Sequence, residues 1–247
     1  MSTGRRNRSF RATDNPVVRA IKDLILQRGL QSGDLLPSEA ELTEILDVSR
    51  ASVREAIKVL STLDIVEVRQ GLGTYVSNMS LQPMVQSLIF RGALTPSGGL
   101  MAFGDIVELR AKFDEGYAES VVEKLAGNYS APLHRAVTQM EESAQAGQLF
   151  LQADREFHRT IAKTANNLIL VQLVDAFWDV EDVVYPKLPP RSKQKLLETA
   201  AQHRLILQAA EAGDVTQYRR LLHDHYQPLL ESLPHPDYFT PDTTQDQ

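Results

Sequence analysis

The sequence predicts a mainly α protein with two unlike parts, an N-terminal winged helix-turn-helix and a C-terminal, all-helical antiparallel bundle. Three observations support this class. Two capped helical segments separated by a three-residue turn lie near the N-terminus, two β-prone runs follow them, and beyond residue 103 apolar residues recur almost wholly at helical spacing. A chain of 247 residues has room for two modest domains.

The composition excludes several kinds of site and location. The chain has no cysteine, which excludes disulfides, Cys-ligated zinc, iron–sulfur clusters and thiol catalysis. No apolar run approaches the roughly 18 residues that a membrane span needs, and the start MSTGRRNRSF lacks the apolar centre of a signal peptide. We therefore expect a cytoplasmic protein without a membrane partner.

The net charge is unevenly distributed along the chain. The formal value of −6 by itself argues against a nucleic-acid partner, because domains that bind duplexes usually carry a positive surplus. However, residues 1–78 carry 11 Lys and Arg against 10 Asp and Glu, whereas residues 79–247 carry 15 against 22. The acidic surplus thus belongs to the second part.

Breaks in periodicity and composition divide the chain into five segments. We predict a disordered basic arm at 1–13, which is either solvated or in contact with phosphates, and a winged helix-turn-helix at 14–78. A linker rich in Pro and Gly follows at 79–102, then a helical domain at 103–233, and the polar end at 234–247 is predicted to be disordered.

Helix-start signals place three helices in the first domain. Asn15 caps a helix with Pro16 at its first position, and the pair Ser38 and Glu41 forms a capping box for a second, short helix. Ser49, at the end of a three-residue turn, caps the third. Two capped helices joined by so short a turn are typical of a helix-turn-helix.

The exposed residues of the third helix point to DNA. Arg50, Ser52 and Arg54 lie at its N-terminal end, where such a helix enters the major groove, and arginine can bond guanine bidentately. The runs IVEVR and TYV then flank a glycine-containing turn, which predicts a hairpin wing. Taken singly, these arginines would be solvated charges and the hairpin a plain turn.

The motifs LPSEAEL, DVSRASVREAIKVL and VRQGLGTYV resemble, in order and spacing, those of the GntR family of bacterial transcriptional regulators. The resemblance covers about residues 14–78 and implies binding of double-stranded DNA. The DNA contacts that it implies come from the recognition helix and the wing: Arg50, Ser52, Arg54, Gln70, Gly71 and Gly73.

Three positions depart from the family pattern. Ala40 stands where an arginine that contacts DNA is usual, and Leu72 where a lysine is common. Because both changes remove cations, we expect few phosphate contacts and a shallow salt dependence of operator binding. Asp47 stands where the turn usually has glycine, and aspartate tolerates a left-handed backbone better than most residues.

The second domain is predicted as six or seven helices, which we place at about 103–127, 131–146, 149–165, 167–184, 192–212 and 214–232. Polar residues on the apolar stripes of such a bundle are candidates for function, since a buried polar group is costly unless it is satisfied.

Four such residues form a candidate metal site. Asp154 and His158 lie one helical turn apart, and His203 lies on an apolar stripe. Of His223 and His225 only one can point inward, and the stripe selects His225. One carboxylate and three imidazoles suit a divalent ion, zinc first, with nickel or manganese as alternatives, and leave positions open for a ligand. Each of these residues alone would be an ordinary hydrogen-bonded core or surface side chain.

These elements also resemble the FCD effector-binding domain of the FadR branch of the GntR family. The resemblance implies that the four residues hold a metal facing a pocket, and it adds Arg110 and Asn167 as effector-binding residues. A buried guanidinium needs an anion, which would be either a small carboxylate effector or an internal partner, Asp114 or Glu115. Asn167 could instead cap the following helix.

Together these patterns predict a homodimeric regulator, most simply a repressor, that binds a palindromic operator and senses a small organic acid through a metal. We expect it not to be an enzyme. Three alternatives stay open: a metal-dependent enzyme fused to a winged helix, a regulator whose metal is purely structural, and a regulator with a larger acyl ligand.

Overall fold

The computed structural model describes residues 15–94 and 100–233. The predicted arm at 1–13 and tail at 234–247 lie outside the described residues. The chain divides into two compact units with the boundary after Pro83. The fold class predicted from the sequence is confirmed, because a winged helix-turn-helix is followed by a unit whose described regular elements are all helices.

The first unit contains three helices and a hairpin: α1 (Pro16–Gln27), α2 (Glu39–Leu46), α3 (Arg50–Thr62), β1 (Val66–Arg69) and β2 (Gly73–Val76). Every predicted cap is present. Asn15 Oδ1 accepts from the Val17 amide, and Ser38 and Glu41 form the reciprocal capping box. Asp47 takes the left-handed conformation, with φ of 50°. Local sequence signals therefore fix where these helices begin.

The hairpin joins the helices in one core. β1 and β2 pair antiparallel with Val66 opposite Val76, and Leu35 adds a bridge to Tyr75. One side of this small sheet covers the inner faces of the three helices. The core residues come from all five elements: Val18, Ile21, Ile25, Leu42, Val53, Ile57, Leu60, Val66 and Val76.

The glycines of the wing provide a stability test. Gly73 has φ of +121°, and a Cβ there would lie 2.8 Å from Leu35 Cδ1, whereas Gly71 has φ of +75° and open space around it. We expect Gly73→Ala to lower the free energy of unfolding by roughly 1–3 kcal/mol, the range for a strained backbone. Gly71→Ala is the matched control and should cost about 1 kcal/mol.

Chemical denaturation followed by circular dichroism measures both losses. The single tryptophan, Trp178, lies in the second unit, so its fluorescence should not report either substitution. Equal stability of the Gly73→Ala variant and the parent chain would show that the wing does not need this backbone conformation.

The segment predicted as a linker differs from that expectation. Residues 79–102 contain α4 (Gln82–Ala93) and the start of α5 (Leu100–Gly116). Proline was interpreted as a sign of a linker, but Pro83 lies in the first turn of α4, where no backbone N–H is needed.

The second unit contains most of α4, followed by α5, α6 (Ala118–Leu125), α7 (Ala131–Gln145), α8 (Leu151–Thr164), α9 (Leu168–Val184), α10 (Lys193–Glu211) and α11 (Val215–Ser232). Six of them form a closed ring in which α5 contacts α9, α9 contacts α8, and α7, α10 and α11 complete the circuit back to α5. α6 packs against α8, α10 and α11. Inward-facing residues of the ring therefore meet at its centre.

One predicted helix, 103–127, is wrong in its extent, because α5 and α6 are separate and break at Tyr117. Gly116 precedes the break, and glycine is a poor helix former. In the described part of the chain no helix is long and apolar enough to cross a membrane.

Candidate functional site

The first candidate site is the exposed surface of α3. Ser49 caps this helix by accepting from the Ser52 amide at 3.2 Å, and the two hydroxyl oxygens lie 2.9 Å apart. Arg50 and Arg54 are exposed on the first two turns, whereas Ser52 is half-buried. The predicted residues of the recognition helix thus share one end of one helix.

Arg54 is oriented by Glu39, a residue that the sequence did not single out. Its Nε donates to Glu39 Oε2 of α2 at 2.7 Å, and both side chains remain largely exposed. The two terminal guanidinium nitrogens have no partner among the described residues, so they stay available for a base edge or a phosphate. The sequence signal for this pair is weak, because Glu39 and Arg54 are fifteen residues apart.

The predicted wing residues lie in and beside a tight turn. Gln70 and Gly71 are exposed between the strands, and Gly73 opens β2. At the end of β1, Arg69 lies over the Tyr75 ring at 4.3 Å and pairs with Glu67 at 2.9 Å. The wing therefore carries one cation, which is partly neutralised, and its tip residue Leu72 is exposed and apolar.

Removing either recognition-helix arginine should weaken operator binding. We expect Arg50→Ala and Arg54→Ala each to lose about 1–3 kcal/mol of specific binding, the range for a good bidentate contact with a base. A titration at fixed salt measures the loss, with Arg220→Ala, an equal charge change in the helical unit, as the control. Unchanged affinity in both variants would refute this assignment of the recognition helix.

The second candidate site is a histidine cluster at the centre of the helical ring. The structure brings together all four residues of the predicted metal site, from α8, α10 and α11. Ligand atoms of His158, His203 and His225 lie within 4.8 Å of one another. Asp154 Oδ1 is 3.0 Å from His203 Nε2 and 3.4 Å from His158 Nε2.

Hydrogen bonds outside the cluster fix which ring nitrogens face it. His203 Nδ1 donates to the Thr199 carbonyl at 2.8 Å, so Nε2 is the ring nitrogen that faces Asp154. His158 Nδ1 donates to Asp114 Oδ2 at 3.2 Å, which turns its Nε2 inward. Two acceptors about 3 Å apart repel unless a proton or a cation lies between them.

Asp114 has a role that the sequence did not suggest. Its carboxylate also accepts from Tyr226 Oη at 2.6 Å. Burial alone would raise the pKa of Asp114, but the interactions with His158 and Tyr226 outweigh burial and lower it. Asp114 thus stays ionised and positions His158, in the manner of a carboxylate behind a metal-binding histidine.

Electrostatics set the protonation of the groups in the cluster. Burial would raise the pKa of Asp154, yet His203 and His158 hold it well below its usual value. Burial, followed by His203 and His158, lowers the pKa of His225 well below 6.5, so that ring is neutral. At His158 burial is outweighed by Asp114 and Asp154, and the pKa rises to about 9. An ionised carboxylate and a neutral imidazole are the forms that bind a metal, so Asp154 and His225 are ready to bind one, whereas His158 must release a proton when a metal binds.

Two ring nitrogens of the cluster are buried without a hydrogen-bond partner in the described chain, His158 Nε2 and His225 Nδ1. Buried polar atoms are normally satisfied, so such orphans need an explanation. With Asp154 and His203 Nε2, these atoms make a donor set of nitrogen and oxygen that fits a divalent ion.

Arg110 has a different partner from the two that the sequence offered. It pairs neither with Asp114 nor with Glu115, but with Glu181 of α9, whose Oε2 lies 2.8 Å from Nη1. Both side chains are buried, and the guanidinium also lies 4.4 Å above the Trp178 ring. The periodicity held a signal for Glu181, since it shares an apolar stripe with Val174 and Trp178.

Asn167 caps α9 by accepting from the Leu170 amide at 3.1 Å. Its Nδ2 donates to Tyr117 Oη at 3.0 Å, which ties the start of α9 to the break between α5 and α6. Asn167 does not line the cavity described next. The capping role is therefore present, and a contact with an effector stays a prediction.

A cavity of about 480 Å³ opens over the cluster between α9, α10 and α11. Arg110, Asp154, Glu181 and His225 line its inner part. Its outer lining includes the charged residues Arg191, Lys195 and Glu198. The volume falls within the range of small-molecule binding pockets.

Comparison with known proteins identifies both domains. Residues 13–76 match the family of bacterial regulatory proteins called gntR, and residues 105–228 match the FCD domain. The HTH-type transcriptional repressor NanR of Salmonella newport is 28% identical over 208 residues, which cover 83% of this chain and 79% of the relative. NanR of Salmonella typhimurium is likewise 28% identical, with 83% and 78% covered.

Among solved structures, Streptococcus agalactiae GntR superposes with a TM-score of 0.65 at 26% identity, over 90% of this chain and 100% of that one. The two relatives are named transcriptional repressors, and the solved structure is named GntR. None of these names denotes an enzyme.

Proposed function

Because this chain belongs to the GntR family of bacterial regulatory proteins and carries an FCD domain, it is a transcriptional regulator, and we propose that it is a metal-dependent repressor that senses a small organic acid. It would act as a homodimer, since two recognition helices must address the two halves of a palindromic operator. The name of the NanR relatives, transcriptional repressors, supports repression rather than activation.

The observation that carries the metal dependence is the convergence of the unpartnered His158 Nε2 and His225 Nδ1 with the Asp154 and His203 pair. These four side chains would hold the ion. Imidazole and carboxylate ligands suit zinc, with nickel and manganese as alternatives. When bound, the ion supplies a positive centre that a carboxylate can ligate. The chain supplies the rest: Asp114 positions His158, and burial keeps His225 neutral.

The cavity makes a small organic acid the fitting effector. Asp154 and His225 of the cluster line this cavity, and so does Arg110. An acid bound there would contact side chains of α5, α8, α9 and α11. It would therefore favour one packing of the ring, and through the dimer it would change the spacing of the DNA-binding domains. Linkage then requires that acid and DNA alter each other's affinity by the same factor.

Metal analysis of the purified protein and a chelation experiment test this proposal. Operator binding is tested separately with DNA from the region upstream of the chain's own coding sequence, and a scrambled fragment of equal length is the control. We expect about one divalent ion per chain, and thermal stabilisation by a panel of carboxylic acids only in the metal-loaded protein. Equal stabilisation after chelation would contradict metal-dependent sensing, and equal affinity for both DNA fragments would contradict operator binding.

A further inference from the structure

The buried ion pair between Arg110 and Glu181 keeps much of its hydrogen-bonding capacity unused. Arg110 has five N–H donors, and one of them, on Nη1, bonds Glu181. Glu181 Oε1 accepts no hydrogen bond from the described residues, and it is not among the buried polar atoms that are sealed from solvent. Both residues line the cavity.

In a buried ion pair that served packing alone, the remaining hydrogen-bonding atoms would also have partners. Desolvating two charges is offset only when further hydrogen bonds satisfy the remaining donors and lone pairs. Here the Trp178 ring covers one face of the guanidinium, and the free donors and the free oxygen are available to the cavity. The pair thus offers a ligand one cationic and one anionic contact side by side.

The charges around the inner cavity also favour a ligand that carries both a negative and a positive group. Arg110 is paired with Glu181, and a divalent ion at the cluster would be balanced by the carboxylates of Asp154 and Asp114. A simple carboxylate entering this site would add a negative charge beside the buried Glu181 carboxylate, where Arg110 is already paired and the half-buried Arg191 is a further cation that acts on Glu181. Burial already raises the pKa of Glu181, although the neighbouring Arg110 lowers it, so further negative charge there is unfavourable.

We propose that the effector is a zwitterion, a small amino acid whose carboxylate is bound by Arg110 and the metal and whose ammonium group is bound by Glu181. Such a ligand brings no net charge and satisfies both free sides of the ion pair. This inference rests on the proposed acid-sensing function and names its ligand class. Glu181 is then the residue that separates amino acids from hydroxy acids of the same shape.

The outer cavity does not determine this choice. Arg191, Lys195 and Glu198 also line the cavity; Lys195 and Glu198 are exposed, so solvent and salt screen them, whereas Arg191 is half-buried and acts on Glu181. Their sum is one positive charge, which would favour anions in general without distinguishing an ammonium group from a hydroxyl. Glu198→Gln is therefore a matched control, with the same chemical change in the same cavity but outside the buried pair.

Isothermal titration of the full-length, zinc-loaded protein tests the proposal. The probes are the twenty amino acids and their 2-hydroxy counterparts, such as alanine against lactate and aspartate against malate. We expect at least one amino acid to bind about tenfold or more tightly than its hydroxy counterpart, because the ammonium group makes a charge-assisted bond. Metal content measured after each titration shows that zinc has not been extracted.

Substitution of Glu181 supplies the second arm. Glu181→Gln should weaken the amino acid by about 10- to 100-fold, since glutamine keeps an acceptor but loses the charge, and it should not weaken the hydroxy acid, because removing the Glu181 charge removes repulsion from its carboxylate. Glu181→Asp, which keeps the charge, should retain part of the preference, and Glu198→Gln should retain all of it. Binding of the hydroxy acid by the Glu181→Gln variant shows that its site is folded.

The outcomes separate the two proposals. Hydroxy acids that bind as tightly as amino acids, or an amino-acid preference that survives in Glu181→Gln, would overturn this inference and leave acid sensing intact. If neither class binds the zinc-loaded protein, the proposed acid sensing fails, and this inference fails with it.

Discussion

Replacing His203 with alanine will lower the affinity of the full-length protein for Zn²⁺ by more than about a hundredfold, because losing even an outer partner of a metal ligand costs 10–100-fold. His203 is fully buried, and its Nε2 lies 3.0 Å from Asp154 Oδ1, so no other side chain can take its place without repacking. Competition with a chelator of known affinity measures the change.

A graded series makes this result specific. Asp114→Asn keeps the ring of His158 in place but weakens the bond that orients it, so we expect a loss of about 10–100-fold. His134→Ala is the matched control, since His134 is a half-buried histidine of the same unit that pairs with Glu211 away from the cluster. Zinc affinity that falls equally in all three variants, or in none, would argue against the four-residue site.

Breaking the Arg110–Glu181 pair will destabilise the helical unit strongly. Arg110→Met leaves an uncompensated carboxylate among buried residues, and we expect a loss of about 3–5 kcal/mol in the free energy of unfolding. The double variant Arg110→Met with Glu181→Leu should recover most of that loss, because apolar replacement of both members of a buried pair is often neutral or stabilising.

The fluorescence of Trp178 measures this effect where it occurs, because it is the single tryptophan of the chain and lies against Arg110. Denaturation of the metal-free protein avoids a contribution from bound ion. The control is Arg219→Met, which breaks an exposed pair with Glu119 and should cost less than about 1 kcal/mol. Additive losses in the double variant would mean that the buried pair is not energetically coupled.

Much of the first domain could be predicted from the sequence, because its signals are local. A capping box links residues three apart, and the left-handed turn at Asp47 is set by its own backbone. In the second unit, helical periodicity selected His225 and not His223 as the inward residue. The structure places His223 among the exposed residues. Predictions failed where local signals were ambiguous, as in α4, where Pro83 in the first turn of a helix contributed to the prediction of a linker.

Which of the buried charges pair with each other could not be predicted from the sequence. The sequence placed Arg110 on an apolar stripe and required an anion for it, but offered only carboxylates on the same helix, whereas Glu181 is 71 residues away. Asp114 was considered as a partner for that arginine, and it instead orients His158, which is 44 residues away.

The sequence by itself thus predicted the fold class and the four residues that meet at the centre of the bundle, because helical periodicity decides which side chains point inward. The family followed from the resemblance of its motifs. The tertiary structure decided which inward charges pair and which keep free atoms toward the cavity. The reason is physical: pairing of buried charges depends on distances between helices, and the closure of the ring of six helices sets those distances.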